Sequence, residues 1–283
     1  PLVVFAIAEL YYNQSNWQEA VNYFAKLSQR EIFDLTKVST YQRIGTAYAS
    51  LGEFENAEKF LEKSLELAHD DTVLFELAQI NAVLGENTRA IAFFKQLDAL
   101  APDFDGYAYP YAQVLIAENE FDQAFAVAKT GLTKNPTDVP LLHLTSRIAY
   151  ALHDLEAAEN YLIQALDIAD LHDETVFLLS NLYLLEEHFD AVINLEALLD
   201  DDHALAKWNI AKAYQAQEAD EKALAIYDDI AQSVLADNPE FLLEYAQLLI
   251  RNARATDAKL SLKQYLAIVP DDENAEAIFN EII

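Results

Sequence analysis

Cysteine and methionine are both absent, and only 5 glycines and 7 prolines interrupt 283 residues. Without cysteine there is no disulfide framework, no thiolate nucleophile and no soft-metal site, a composition that suits the cytoplasm. Methionine is missing even as an initiator, against an ordinary usage near ~2 %, which suggests a processed or shortened piece of a longer chain. The rarity of glycine and proline removes the punctuation that turn-rich β proteins need, and runs of Ala, Leu, Glu and Gln favour helix almost throughout. No alternating strand pattern is present. Basic residues are also scarce: 18 Lys and Arg stand against 48 Asp and Glu, a formal charge of -30. Such a field repels phosphate backbones and anionic lipid surfaces, so neither nucleic acid nor a membrane is an expected partner. Long hydrophobic runs are missing too. The apolar opening PLVVFAIA meets Glu9 too early for a span and has no basic flank for a signal peptide.

Signatures of chemistry are equally sparse. His69, His143, His153, His172, His188 and His203 show no HExxH or other metal-ligand spacing, and the five glycines, at 45, 52, 85, 106 and 131, form neither a GxGxxG turn nor a phosphate loop. GxSxG is absent. The cluster Asp200, Asp201, Asp202 and His203 lacks the alternating ligands and turn glycine of a calcium loop and reads as a solvated turn. The expectation is a non-catalytic protein with no cofactor and no metal.

What the sequence has in abundance is self-similarity. In the stretch Tyr41 to Ala68, Tyr41, Ile44, Gly45 and Tyr48 stripe one helix face, Gly52 ends that helix, and Ala57, Phe60, Leu61 and Leu65 stripe a second. Laid along the chain, the pattern recurs eight times with anchors at Ala20, Ala57, Ala90, Ala124, Ala158, Val192, Ala223 and Ala258, and a modal step of 34 residues. Twelve residues before each anchor stands a small residue: Ala8, Gly45, Ala78, Ala112, Ser146, Ser180, Ala211 and Ala246. The physical need is a close crossing, because two helices of a hairpin approach only where neither carries bulk. The preceding position is large at Ile7, Ile44, Leu77, Tyr111, Leu179, Ile210 and Tyr245, with Thr145 the exception. Pro102, Pro136 and Pro270 fall twelve residues after their anchors, where a second helix should stop.

These residues resemble the tetratricopeptide-repeat family, with Tyr frequent at the eleventh position (Tyr11, Tyr48, Tyr183, Tyr214) and an aromatic or Leu at the twenty-fourth (Phe24, Leu61, Phe94, Leu162, Tyr227, Leu262). A looser likeness to acidic multi-repeat cytosolic proteins of Gram-positive bacteria lies in the run from Trp208 to Tyr245. The resemblance implies an all-α fold: a right-handed superhelical solenoid of about eight helix-turn-helix units over residues 1–271, followed by a C-terminal capping helix at 272–283. Asp271 and Asp272 are placed to cap that last helix, with Ala275, Ile278 and Ile282 on one face. The apolar start at Leu2, Val3 and Val4 suggests that further repeats or another domain precede Pro1. Asn81 and Ala149 depart from the pattern at the eleventh position and Glu196 at the twenty-fourth. The irregular steps of 37 and 31 residues put joins near Ser28 to Ser39 and Leu199 to Ala206. The second of these is the expected weak seam.

In this family the first helix of each repeat lines a concave wall. By that likeness the fifth positions (Phe75, Tyr109, His143, Phe177, Trp208) and ninth positions (Gln79, Gln113, Arg147, Asn181, Lys212, Gln247) face a peptide-binding groove, joined by Tyr150 and Arg251 at the twelfth and thirteenth. The acids among the inferred groove positions are Glu9, Glu174 and Glu240, balanced by Arg147, Lys212 and Arg251, so the wall is near neutral inside a strongly acidic chain. Aromatics offer contact area and Asn, Gln and Arg offer pairing to an extended backbone, so the expected partner is a protein or peptide segment. Affinity is expected from Phe75, Tyr109, Phe177 and Trp208. Family members that grip a terminal carboxylate carry Lys at the fifth position; aromatics there argue against such a clamp. The competing readings are that the fifth position merely packs successive helices, or that the repeats serve a peptide-sensing regulator or a larger enzyme whose other domain lies upstream of Pro1.

Overall fold

The computed structural model describes residues 1–168, 172–199 and 203–282. Two compact units result, Pro1–Asp154 and Leu155–Ile283. In the first, hairpins pair a first helix with a second: α1 (Leu2–Asn13) with α2 (Trp17–Phe24), α4 (Thr40–Ser50) with α5 (Phe54–Leu67), α6 (Asp71–Val83) with α7 (Asn87–Leu100), and α8 (Ala108–Ala117) with α9 (Phe121–Lys134), before α10 (Val139–Ala151). The long connection after α2 contains an extra helix, α3 (Gln29–Thr36), held by the fully buried Ile32. The second unit holds α11 (Leu155–Leu166), α12 (His172–Leu185), α13 (Phe189–Asn194), a 3₁₀ turn (Leu195–Leu198), α14 (Ala204–Ala216), α15 (Asp220–Ile230), α16 (Pro239–Arg251), α17 (Ala255–Ile268) and α18 (Glu273–Glu281). Every described element is helical.

The close crossing that the small residues predict is present within each unit. All eight anchors are fully buried, and so are their small counterparts, of which Ser146 is the most accessible at 4 %. Gly45 shows why bulk is excluded: a Cβ there would lie 2.6 Å from Leu61 Cγ and 3.1 Å from the Ala57 carbonyl. A side chain at that point forces the helices apart.

Each hairpin turns in the same way. The residue fifteenth in the repeat is left-handed in all eight, at Ser15, Gly52, Gly85, Asn119, His153, Glu187, Glu218 and Ala253, with φ between 56 and 78°. The next amide then reaches back to the eleventh-position carbonyl, as in Asn16 to Tyr11 at 2.9 Å, Glu86 to Asn81 at 2.8 Å and Arg254 to Leu249 at 2.9 Å. This is the six-to-one bond of a Schellman ending, which satisfies a carbonyl the helix would otherwise leave open. Glycine fills the position only twice, so the turn is dictated by hairpin packing more than by local preference.

The proline stops hold as well: α7, α9 and α17 end at Leu100, Lys134 and Ile268, two residues ahead of Pro102, Pro136 and Pro270. After Pro270, Asp272 accepts from the amides of Asn274 and Ala275 at 3.0 Å and starts α18, whose Ala275, Ile278 and Phe279 pack on the core formed by α14 to α17.

One repeat breaks the pattern at its second helix. An α-helix running on from Val192 would turn Glu196 inward. Instead the chain tightens to 3₁₀ after Asn194, Leu195 is the buried residue, and Glu196 stays exposed and accepts from Tyr214 Oη at 2.7 Å. The tighter turn replaces a buried carboxylate with a leucine. The core of the expected seam, and the Asp200 to Asp202 turn, lie outside the described residues.

Candidate interaction surface on the first helices

First helices of successive hairpins pack against each other, α4 on α6 and α8 on α10 in the first unit, α12 on α14 in the second. Their side chains form a wall in each unit. The fifth-position ring sits at the base of that wall and is committed mostly to packing. Phe75 lies half-buried against Phe94 and Phe104, with ring centroids 6.4 and 5.2 Å away, and Phe177 lies 5.6 Å from the His203 ring. Trp208 corrects the expectation outright. It is 6 % exposed, its indole N–H donates to Tyr227 Oη at 3.1 Å and Glu244 Oε2 at 2.8 Å, and its face is covered by Lys212 Nζ at 3.8 Å and by the Phe241 ring edge. A ring used so fully inside the fold has no area left for a ligand. Tyr109 and His143 are half-buried at the equivalent address.

Above the rings runs a ladder that the sequence reading did not recognise. The ninth position of one first helix meets the sixth position of the next. Glu9 accepts from Arg43 Nε at 2.9 Å; Thr46 Oγ1 donates to Glu76 Oε2 at 2.7 Å; Asn209 Nδ2 donates to Asn181 Oδ1 at 2.8 Å; Lys212 Nζ lies 3.6 Å from Glu244 Oε1 and 3.5 Å from Glu240. Asn209 also donates to Ser180 Oγ at 2.8 Å, so this rung is buried and doubly joined.

The ladder stops in the middle of the first unit. The sixth positions of α8 and α10 are Pro110 and Leu144, which offer no side-chain hydrogen-bonding group to Gln79 and Gln113. Gln79, Gln113 and, one helix further, Arg147 are exposed and make no hydrogen bond or ion pair among the described residues. Of the three candidate cations, Lys212 is held by Glu240 and Glu244 and Arg251 donates to Asp220 at 3.1 and 3.4 Å, which leaves Arg147 unpaired among the described residues. Gln247 is exposed and lines, with Ile250, Arg251 and Ile278, a cavity of about 600 Å³ beside α18.

Apolar surface accompanies the unpaired row. Val83 is 63 % and Tyr150 42 % exposed at the C-terminal ends of α6 and α10, and Ile116 of α8 is half-buried between them in sequence. The thirteenth-position Val83 was not expected as a site residue; exposure of a β-branched side chain at a helix end is the signal that finds it. Gln79 on α6, and Gln113, Arg147 and Tyr150 on the packed pair α8 and α10, are thus all exposed in the first unit. Asn181, Lys212 and Trp208 are tied into the second.

No helix is long and apolar enough to cross a membrane, and no group of three or more His, Asp or Glu converges as a metal site, among the described residues.

Tandem helical hairpins with a 34-residue beat, small residues at the crossings and a Schellman turn in each hairpin are the features of tetratricopeptide repeats, and tetratricopeptide-repeat models match three stretches of the chain. The general tetratricopeptide-repeat model matches residues 38–71. More particularly, the model for YpiA-like tetratricopeptide repeats matches residues 1–32, and that for YpiA-like C-terminal tetratricopeptide repeats matches residues 205–272. The chain is 26 % identical to the TPR repeat-containing protein YpiA of Bacillus subtilis over 279 residues, covering 98 % of this chain and 66 % of that protein. It thus spans just under two thirds of that relative. Among solved structures, the C-terminal part of a TPR repeat-containing protein from Cytophaga hutchinsonii superposes with a TM-score of 0.56 at 16 % identity, over 96 % of this chain and 98 % of that one. YrrB, described as a TPR protein with an unusual peptide-binding site, superposes with a TM-score of 0.51 at 13 % identity, over 66 % of this chain and 97 % of its own. These two likenesses concern the fold.

Proposed function

We propose that the chain is a non-catalytic interaction scaffold that holds an extended segment of a partner protein across α6, α8 and α10. The observation that carries this reading is the interrupted ladder: Gln79, Gln113 and Arg147, unpaired among the described residues, occupy the ninth position of three successive first helices, which also carry exposed Val83 and Tyr150. An extended peptide has a backbone N–H and C=O at each residue, and amide side chains pair with both. Apolar side chains of the segment cover the neighbouring apolar surface, where water is least well held. The peptide-binding description of YrrB is in keeping with such a use of the fold.

A displayed peptide library selected on the full chain tests the reading. Binding of the selected peptides should fall at least tenfold in a variant carrying Gln79→Ala, Gln113→Ala and Arg147→Ala, and should survive Arg251→Ala. Equal binding to the triple variant, with its helicity and melting unchanged, removes the surface from consideration.

A further inference from the structure

Glu76 occupies the sixth position of α6, the same address as Glu244 in α16, but in a different setting. Glu244 has Lys212 at 3.6 Å and donors from Trp208 and Tyr227 at 2.8 and 2.9 Å. The half-buried Glu76 carboxylate receives Thr46 Oγ1 at 2.7 Å and forms no ion pair among the described residues. Arg43, on the neighbouring helix, is engaged by Glu9 at 2.9 Å, and the other charge acting on Glu76 is Asp70, at the start of its own helix. Burial pushes the Glu76 carboxyl above its ordinary value, against the downward pull of its hydrogen bonds from Thr46 and Gln42 and the opposing effects of Asp70, which raises it, and Arg43, which lowers it. Proton binding is therefore favoured in the fold. That preference stabilises below the unfolded value and is lost as pH rises through the raised one, so at neutral pH the charged form costs stability.

The carboxylate faces a cavity of about 330 Å³ between α4 and α6, walled by Phe54, Ile80 and Val83 and edged by Thr46 and Gln79. Apolar walls with one carboxylate in the lining match a side chain that has a methylene stem and a cationic head. Gln79 belongs both to this cavity and to the unpaired row, so the cavity lies at one end of the proposed path of the segment. The net charge of -30 favours approach of a basic partner.

We infer that this cavity receives a lysine or arginine side chain of the bound segment, with Glu76 as its counter-ion; the inference rests on the peptide-binding reading above. Two probes separate the two. n-Butylammonium and n-butylguanidinium, titrated into the full chain and followed by methyl NMR, should give saturable shifts at Ile80 and Val83 that weaken at least fivefold in Glu76→Gln, while n-butanol gives none that saturate. Shifts that persist in Glu76→Gln, or that butanol reproduces, overturn the cation site without touching the peptide surface. Peptides selected from the library should carry Lys or Arg at one fixed position and lose affinity at least fivefold for Glu76→Gln. Selected peptides that depend on Gln113 and Arg147 but carry no basic residue sink the inference and leave the peptide surface standing. Glu76→Gln should also melt at a higher temperature at pH 7, since the amide keeps an acceptor for Thr46 without the charge. A lower melting temperature makes Glu76 a structural group and overturns the assignment.

Discussion

The first-helix wall of α6, α8 and α10 and that of α12 and α14 are built from the same repeat and differ in one respect. In α12 and α14 the ninth-position side chains are held by the helix that follows, Asn181 by Asn209 and Lys212 by Glu244. In α6, α8 and α10 the same address holds Gln79, Gln113 and Arg147, which have no partner among the described residues. A shared position in a repeat therefore does not fix a shared task. The residue carried by the next hairpin at its own sixth position decides whether a polar group serves the fold or remains free for a partner.

That contrast breaks most sharply on stability. Trp208→Ala should cost roughly 3–5 kcal/mol, as large aromatic truncations in cores do, because it empties a site bounded by Tyr227, Phe241 and Lys212. Gln113→Ala should stay within about 0.5 kcal/mol. Chemical denaturation compares them, and similar losses in both would mean that the two walls are not different in kind. Next in size is Asn209→Leu, which strands Asn181 and Ser180 and should cost about 1–3 kcal/mol; an unchanged denaturation midpoint would show that the buried rung carries no weight. The smallest effect sharpens the comparison instead of breaking it. Pro110→Glu supplies Gln79 with the kind of partner Glu76 gives Thr46, and should shift stability by less than about 1 kcal/mol while lowering affinity for selected peptides several-fold. Affinity that holds steady would say that Gln79 need not be unpaired to work.

Most of the fold was legible because the hairpin crossing tolerates only small side chains, and that constraint is written eight times, from Ala8 and Ala20 to Ala246 and Ala258. Three features were not. The left-handed turn residue is Ser15, His153, Glu187 or Ala253 as readily as Gly52, since tertiary packing overrides the local preference for glycine. Helix α3 sits in a stretch that spacing identified only as a long join. The 3₁₀ turn at Leu195 arises from a register conflict between Leu195 and Glu196 that a period alone does not resolve.

The site was legible in part. Ninth-position polarity marked Gln79, Gln113 and Arg147, but sequence position could not separate them from Asn181 and Lys212, because the difference lies in contacts between repeats. Trp208, expected among the fifth-position aromatics of the groove, departs from that expectation for a related reason. A ring at the base of the wall has a hairpin on either side to pack against, and Trp208 also uses its N–H inside the fold.

The most direct test of the central claim is a benzophenone-bearing peptide, selected on the intact chain, photolysed in the complex and mapped by mass spectrometry. Crosslinks on α6, α8 and α10, around Gln79, Gln113 and Tyr150, are the predicted result. Crosslinks concentrated on α14 and α16, where the ladder is joined, would contradict it.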